Sequence, residues 1–218
     1  MKLYHYDHCP YCVKARMIFG LKTVPLQLEA LANDDEETPI GLIGAKMVPI
    51  LIREDGEPMG ESLDIIRYVD GLARYGEPMI NPSRRDERLN TWLAGMREYH
   101  YSLAMPRWVE MGLPEFETKS SVNYFVEKKT KSIGDFKKAM NNSKKLVAKA
   151  QEHLKELDAF MGSTDWFWGE PTMDDIHLFA NLRVLTTVKG LEFSSKISAY
   201  TQRLSDRSRV PLHWDKAL

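Results

Sequence analysis

The chain has 218 residues, enough for two modest domains or one large one with a proper hydrophobic core. Its 43% hydrophobic and 28% charged residues are ordinary for a soluble globular protein. Its 30 basic and 31 acidic side chains give a net charge of −1, which argues against a dedicated nucleic-acid-binding protein because such proteins are usually strongly basic.

The sequence shows neither a secretory signal nor a membrane span. Residues 1–8 contain no apolar h-region, and no stretch approaches the roughly 18 apolar residues that cross a bilayer. We therefore expect a soluble, cytoplasmic protein that binds neither nucleic acid nor membrane.

Residues 1–72 alternate strand and helix patterns. Strands are predicted near 2–6, 26–29, 48–52 and 57–59, and Leu26 and Leu28 alternate with polar residues as in a half-buried strand. Helices are predicted after Cys12, over 37–43 and from a cap at Ser62. The order β-α-β-α-β-β-α predicts an α/β sheet whose last two strands form a hairpin.

Residues 73–83 are rich in Gly, Pro and Asn, and we predict that they form a linker. Beyond them, over 84–218, the patterns are helical and no strand alternation occurs. Helices are predicted near 84–111 (with a kink at Pro106), 118–141, 143–161, 172–189 and 194–206. The second part should therefore be all-helical. Its Lys-rich segment 119–155 is interpreted as a solvated helical face and receives no functional role.

The only two cysteines, Cys9 and Cys12, lie three positions apart where a strand turns into a helix. A disulfide between them closes too small a loop to stabilise the fold, so the sulfurs are predicted to serve chemistry. Pro10 suits the first helical position, and the free N–H groups of Tyr11 and Cys12 should favour a thiolate on Cys9. Cys12, deeper along the helix, should be the resolving thiol.

A metal site is the alternative, with Cys9, Cys12 and either His5 or His8 as ligands. Structural zinc usually takes four ligands, and no second Cys or His pair occurs at ligand spacing. We therefore expect no metal and interpret His8 as a polar neighbour that influences the protonation of Cys9.

The motif Cys-Pro-Tyr-Cys at residues 9–12 resembles that of the dithiol glutaredoxins. Through residues 4–12 and 14–22, and over its whole length, the chain is similar to the glutaredoxin 2 group of enterobacterial type, which is built like a glutathione S-transferase. The resemblance implies an α/β thioredoxin-like N-terminal domain over 1–72, a linker over 73–83 and an all-α C-terminal domain over 84–218. Residues 169–176 resemble the capping segment of the transferase helical domain, with Thr172 and Asp175 at N-cap and N3 spacing.

Two further segments match sites that bind glutathione in related folds. Val48-Pro49 resembles the cis-proline dipeptide, in which a cis bond turns the Val48 backbone toward the cysteines to pair with glutathione like an added strand. Glu61 and Ser62 match the transferase pair that holds the γ-glutamyl ammonium and carboxylate. The resemblance thus assigns glutathione contacts to Pro10, Tyr11, Val48, Pro49, Glu61 and Ser62.

The implied activity is that of a glutathione-dependent thiol–disulfide oxidoreductase with Cys9 and Cys12 as catalytic residues. Glutathione would be the co-substrate, and the partners would be glutathionylated or disulfide-bonded proteins. Three alternatives remain: a cysteine-type, omega-like glutathione S-transferase or dehydroascorbate reductase, a non-catalytic binding module with the transferase fold, and an iron–sulfur carrier bridged by two Cys9 residues. The second cysteine argues against the transferase, which needs only one sulfur.

Overall fold

The computed structural model describes residues 1–162 and 164–218. Its strands form one four-stranded mixed sheet in the order β2-β1-β3-β4 among these residues. β1 runs parallel to β2 and antiparallel to β3, and β3 pairs antiparallel with β4 as a hairpin. The strands are β1 (Lys2–His5), β2 (Gln27–Ala30), β3 (Ile50–Ile52) and β4 (Pro58–Met59). The predicted mixed α/β sheet is confirmed.

The two central strands carry the apolar residues that the sheet buries. Leu3 of β1 lies opposite Leu51 of β3, and both side chains are fully buried. β2 is an edge strand that pairs only with β1 among the described residues. Leu28 on β2 is 43% exposed, so the predicted inward face of this strand is wrong at that position. An edge strand has a neighbour on one side only, which leaves its side chains less covered.

Three helices accompany the sheet: α1 (Pro10–Leu21), α2 (Glu37–Ile43) and α3 (Ser62–Asp70). α2 ends at Gly44, as predicted. The predicted cap of α3 is wrong by one residue, because Glu61 is the N-cap and Ser62 is the first helical residue. α3 buries Ile65, Ile66 and Val69 against α1.

The described residues after 84 contain helices and short turns but no strand, as predicted. No helix of the described chain is long and apolar enough to cross a membrane. The helices are α4 (Glu87–Met96), α5 (His100–Trp108), α6 (Lys119–Ile133), α7 (Phe136–Asn141), α8 (Ser143–Phe160), α9 (Met173–Leu185) and α10 (Ser195–Ser208).

Two of the predicted long helices are each two helices. The prediction over 84–111 misplaced the irregularity at Pro106, which lies inside α5, whereas the chain breaks after Met96. There the backbone N–H groups of residues 97–99 donate to the carbonyl three residues earlier instead of four. This is the 3₁₀ pattern that often ends an α-helix. The predicted 118–141 helix stops at Gly134, whose φ of 78° leaves the helical region, and Asp135 then caps α7.

The segment between α3 and α4 is held in place by specific hydrogen bonds. The Asp70 carboxylate accepts the backbone N–H groups of Met79 and Ile80. Asn81 forms an isolated bridge with Thr172, at the start of α9. Thr172 and Asp175 form the predicted capping arrangement, in which the Asp175 carboxylate accepts the Thr172 N–H at 2.9 Å.

Helix α1 joins the sheet half of the chain, which runs from β1 to α3, to the helical half, which runs from α4 to α10. Nine of its twelve residues are buried, and it packs on α3 of its own half and on α9 and α10 of the helical half. Gly20 lies where α1 meets the end of α10, and a Cβ added there would stand 1.8 Å from the carbonyl oxygen of Ser208. The backbones approach this closely only because Gly20 has no side chain.

The close contact between the backbones of α1 and α10 predicts different effects on stability for two glycine-to-alanine changes in helices. Gly20→Ala should force backbone atoms apart and lower the free energy of unfolding by about 1–3 kcal/mol. Gly41→Ala in α2 is the matched control: a Cβ there meets nothing within 4 Å, so it should be neutral or stabilise by up to about 1 kcal/mol. Urea unfolding followed by circular dichroism measures both. Equal stabilities for the two variants would contradict the close approach.

Candidate active site

Cys9 and Cys12 occupy the turn between β1 and α1. Cys9 is the N-cap of α1 with an extended backbone, and Pro10 takes the first helical position. The Cys9 N–H donates to the carbonyl of Tyr6 at 3.3 Å, which fixes the turn. Both cysteines are free thiols, Cys9 partly accessible and Cys12 fully buried. Only the first sulfur is therefore open to a substrate.

The surroundings of Cys9 favour its thiolate. The largest effect is a hydrogen bond from the Cys12 thiol, and burial opposes it. The charge of the His8 ring and the backbone N–H groups of Cys12 and Tyr11 act in the same direction as the Cys12 thiol. Together they lower the pKa of Cys9 from 9.0 to about 6. At pH 7 most Cys9 is therefore an anionic nucleophile.

Cys12 behaves in the opposite way. Burial raises the pKa of Cys12 well above its ordinary value, and the hydrogen bond and negative charge of Cys9 raise it further. The Tyr6 N–H, 3.5 Å from the Cys12 sulfur, opposes these effects without cancelling them. The pair therefore consists of one thiolate and one protonated thiol, which is the asymmetry that a nucleophile and a resolving thiol need.

A buried carboxylate from the helical half holds the residue before Cys9. The Glu115 Oε1 atom accepts the backbone N–H of His8 at 2.9 Å and lies 2.5 Å from its ring Nδ1. Burial opposes ionisation of Glu115, but the hydrogen bond and charge of His8 keep the pKa of Glu115 below its usual value. The His8 ring also packs on Trp108 and Phe116, with centroids 4.6 and 5.2 Å away. His8 is a polar neighbour of the thiolate, as predicted.

Asp7 carries a second link between the halves. Its carboxylate lies 2.6 Å from Arg16 Nη1 on α1 and 3.1 Å from Arg183 Nη2 on α9. Arg183 also donates from Nη1 to the Asp7 backbone carbonyl at 2.6 Å. Burial disfavours an ionised Asp7, but the two guanidinium groups hold the pKa of Asp7 well below its usual range. The start of the catalytic turn is thus clamped between α1 and α9.

Four of the residues expected to contact glutathione lie on two other segments, just before β3 and at the start of α3. The Val48–Pro49 peptide bond is cis, as expected. Glu61 has a φ of 61°, a conformation that a residue with a side chain rarely adopts and that is concentrated at functional sites. The Glu61 carboxylate has no ion pair, and the Ser62 hydroxyl no hydrogen bond, with any described residue. Neither group is therefore committed to a described partner, and Ser62 is 6% exposed.

The other two expected contacts flank the nucleophile. Pro10 is buried, whereas Tyr11 is 55% exposed beside Cys9. Searched over the described part of the chain, no three His, Cys, Asp or Glu side chains are grouped closely enough to hold a metal ion.

Sequence reasoning missed the residues that support the turn: Asp7, Arg16, Glu115 and Arg183. Two carry a recognisable signal, since Arg16 and Arg183 are charged residues within buried, mostly apolar stretches of α1 and α9. A charge in such a position is almost never fully buried unless it is paired. Glu115 also lies beside the apolar residues Leu113 and Phe116, but in a short turn there is no helical or strand periodicity to indicate that its side chain is buried.

Comparison with known proteins gives two family matches. The family described as glutathione S-transferase, N-terminal domain, matches residues 3–78, and the family described as glutaredoxin 2, C terminal domain, matches residues 88–217. Glutaredoxin 2 of Escherichia coli K12 is 41% identical over 212 residues, which covers 97% of each chain.

The chain belongs to the glutaredoxin 2 family. Glutaredoxin 2 proteins are glutathione-dependent oxidoreductases, which confirms the predicted enzyme class. The crystal structure of Salmonella typhimurium glutaredoxin 2 in complex with glutathione is 40% identical, with a TM-score of 0.95 over 100% of this chain and 98% of that one. Glutathione transferase Omega 3C from Trametes versicolor is 16% identical with a TM-score of 0.54, covering 97% and 84% of the two chains, and shares the fold alone. The predicted transferase-like architecture is confirmed.

We expect the charge of the His8 ring to affect the pKa and the reactivity of Cys9. His8→Asn keeps a donor for Glu115 but removes the ring charge, so the pKa of Cys9 should rise above about 6. Alkylation of Cys9 by iodoacetamide should slow about 2- to 5-fold at pH 6 and approach the wild-type rate at pH 9, where Cys9 is ionised in the variant and in the wild type alike. Tyr11→Phe, which retains the backbone N–H, is the control and should leave the profile unchanged. An unshifted profile in His8→Asn would show that the ring charge does not act on Cys9.

Proposed function

We propose that the chain reduces glutathione mixed disulfides and protein disulfides through Cys9 and Cys12, with glutathione as the electron donor. The observation that carries the proposal is the unequal thiol pair. The pKa of Cys9 is lowered to about 6 at an accessible helix N-terminus, and the pKa of the buried Cys12 thiol is raised. A thiolate attacks disulfides, and a protected neighbour resolves the product.

With a glutathionylated protein, the Cys9 thiolate attacks the glutathione sulfur. A Cys9–glutathione disulfide forms, and the protein sulfur leaves as a thiolate that takes a proton from solvent. A second glutathione thiolate then attacks the bound glutathione sulfur, which releases glutathione disulfide and restores the Cys9 thiolate. The low pKa of Cys9 assists this last step, because a more acidic thiol leaves faster.

With a protein disulfide, Cys9 attacks one sulfur and the other leaves as a thiolate. The negative charge on Cys9, one reason for the raised pKa of Cys12, disappears when the mixed disulfide forms. Cys12 then gives up its proton more readily and attacks the Cys9 sulfur, which expels the second protein thiol. Two glutathione molecules reduce the Cys9–Cys12 disulfide and leave as glutathione disulfide.

The proposed glutathione position uses the free groups around the turn. The glutathione sulfur would meet Cys9 beside Pro10 and Tyr11, and its backbone would pair with Val48 next to the cis-Pro49. The γ-glutamyl ammonium would meet Glu61, and its carboxylate would meet Ser62 and the first N–H groups of α3. The structure of the Salmonella relative in complex with glutathione supports glutathione as the ligand. We also propose a cytoplasmic setting, because glutathione keeps thiols reduced there.

The two cysteines should differ when each is replaced. Cys9→Ser should abolish turnover with every disulfide, because no nucleophile remains. Cys12→Ser should retain most activity toward a glutathionylated peptide, which needs only Cys9, and lose at least about 10-fold toward a protein disulfide, which needs resolution. Coupled assays with glutathione reductase measure both reactions, and mass spectrometry should detect the trapped Cys9 adduct. Turnover by Cys9→Ser would contradict the nucleophile assignment, and equal losses in folded Cys12→Ser would contradict the resolving role.

Glu61 and Ser62 should affect glutathione binding rather than the thiol. Glu61→Gln and Ser62→Ala should each raise the KM for glutathione roughly 5- to 150-fold, equivalent to about 1–3 kcal/mol of binding free energy, because each removes a contact to a charged group. The rate of Cys9 alkylation should stay unchanged. Glu57→Gln, an exposed acid on the nearby hairpin, is the control and should alter neither quantity. If alkylation slows as much as turnover falls, the changed residue acts on the sulfur instead.

A further inference from the structure

A large cleft opens beside Cys9 between α1 and the helical half. It has a volume of about 830 Å³. Its walls come from the start of α1, from α4, from the start of α5 and from α9, and they include Pro10, Tyr11, Lys14, Arg97, Tyr101 and His177. None of the residues assigned to glutathione on the sheet side (Val48, Pro49, Glu61 and Ser62) lines it.

The charge of the Cys9 thiolate reaches residues that line the cleft. The negative charge of Cys9 acts on Lys14 and on Tyr101, where it adds to burial and to the charge of Tyr11 in raising the pKa of Tyr101 to about 12. Tyr11, the exposed neighbour of Cys9, forms part of the wall, and the Lys14 ammonium lies 5.1 Å from the centre of its ring. A substrate whose disulfide reaches Cys9 therefore has this cleft as an immediate neighbour.

The charge of the cleft has one sign. Lys14 and Arg97 are its cations, no described lining residue is acidic, and neither cation forms an ion pair with a described carboxylate. His177 contributes no charge at neutral pH, because burial and the charge of Lys14 lower its pKa to about 4. The nearby Asp174 is 3% exposed, and its carboxylate accepts hydrogen bonds from Arg84 and Trp168. Two cations thus face the cleft without an ion pair to any described carboxylate.

We propose that this cleft binds the polypeptide segment that flanks the disulfide of a protein substrate, and that Lys14 and Arg97 select segments carrying carboxylates. The proposal rests on the disulfide reductase function proposed above and names its substrate class. The volume exceeds what the side chain of a single cysteine needs, and the exposed ring of Tyr11 offers a surface for the peptide backbone. Unpaired cations beside a reaction centre favour anionic partners and speed their encounter.

The test uses three synthetic peptides that differ only beside one glutathionylated cysteine, with two Glu, two Gln or two Lys residues as neighbours. The full-length protein reduces each with glutathione, and kcat/KM is divided by the rate of the same peptide with free 2-mercaptoethanol. This division removes the effect of the flanking charges on the leaving thiol. Wild type should prefer Glu over Gln by about 5-fold and Gln over Lys by a similar factor, and the preference should shrink as salt is raised.

Arg97 is the variant of choice because it is exposed and does not touch the sulfur. Arg97→Gln should lose about 3-fold with the Glu peptide and change less than 1.5-fold with the Gln peptide, and Arg97→Glu should invert the ranking of Glu and Lys. Lys137→Gln, which removes an exposed charge on α7 outside the cleft, should keep the wild-type ranking. Circular dichroism checks that each variant folds, and the salt dependence of wild type tests the proposal without any variant.

The outcomes separate the two proposals. Reduction of all three peptides at equal normalised rates would overturn the cleft proposal and leave the reductase function intact. An equal loss with every peptide in Arg97→Gln, accompanied by a raised KM for glutathione, would also overturn it, because the cleft would then serve the second glutathione. Failure of wild type to reduce any glutathionylated peptide would overturn the proposed function itself.

Discussion

The carboxylate of Asp7 sits where β1 ends and must be neutralised because the fold removes most of its water. The sheet half provides one cation, Arg16, and the helical half provides the other, Arg183, which also binds the Asp7 carbonyl. Separating the halves would leave the buried Arg183 guanidinium without its carboxylate and Asp7 with one of its two cations, which is costly. The position of the catalytic turn therefore depends on both halves being folded and joined, and Glu115 repeats the arrangement one residue later at His8.

This dependence explains how a turn in the first twelve residues acquires two chemically different sulfurs. The helix N-terminus and the Cys12 thiol act locally, and any chain with the same four residues shares them. The charge of His8 is different, because a carboxylate from the turn after α5 orients its ring and an aromatic wall formed by Trp108 and Phe116 surrounds it. The helical half thus contributes to the reactivity of Cys9 without touching its sulfur.

Most of the fold could be predicted from sequence, because strand order and apolar periodicity are local signals. The order of elements, the catalytic turn, the end of α2 and the Thr172–Asp175 cap followed from neighbouring residues. The breaks after Met96 and at Gly134 were missed, although Gly134-Asp135 is a local stop-and-start signal. The role of Glu115 could not be predicted for a different reason. It depends on burial by residues distant in sequence, which the periodicity of apolar residues does not indicate.

Helix α1 has a consequence for how this protein can be divided. The matched families meet between residues 78 and 88, as if two modules had been joined there. Yet α1 presents its buried residues to partners on both sides, and Gly20 admits the backbone of α10. Cut free, the sheet half would expose the side chains of α1 that pack on α9 and α10, and Asp7 would keep Arg16 but lose Arg183. The two halves can therefore be separated in the sequence but not in the folded protein. A half taken from a relative would fit only if the residues that it packs against were exchanged as well.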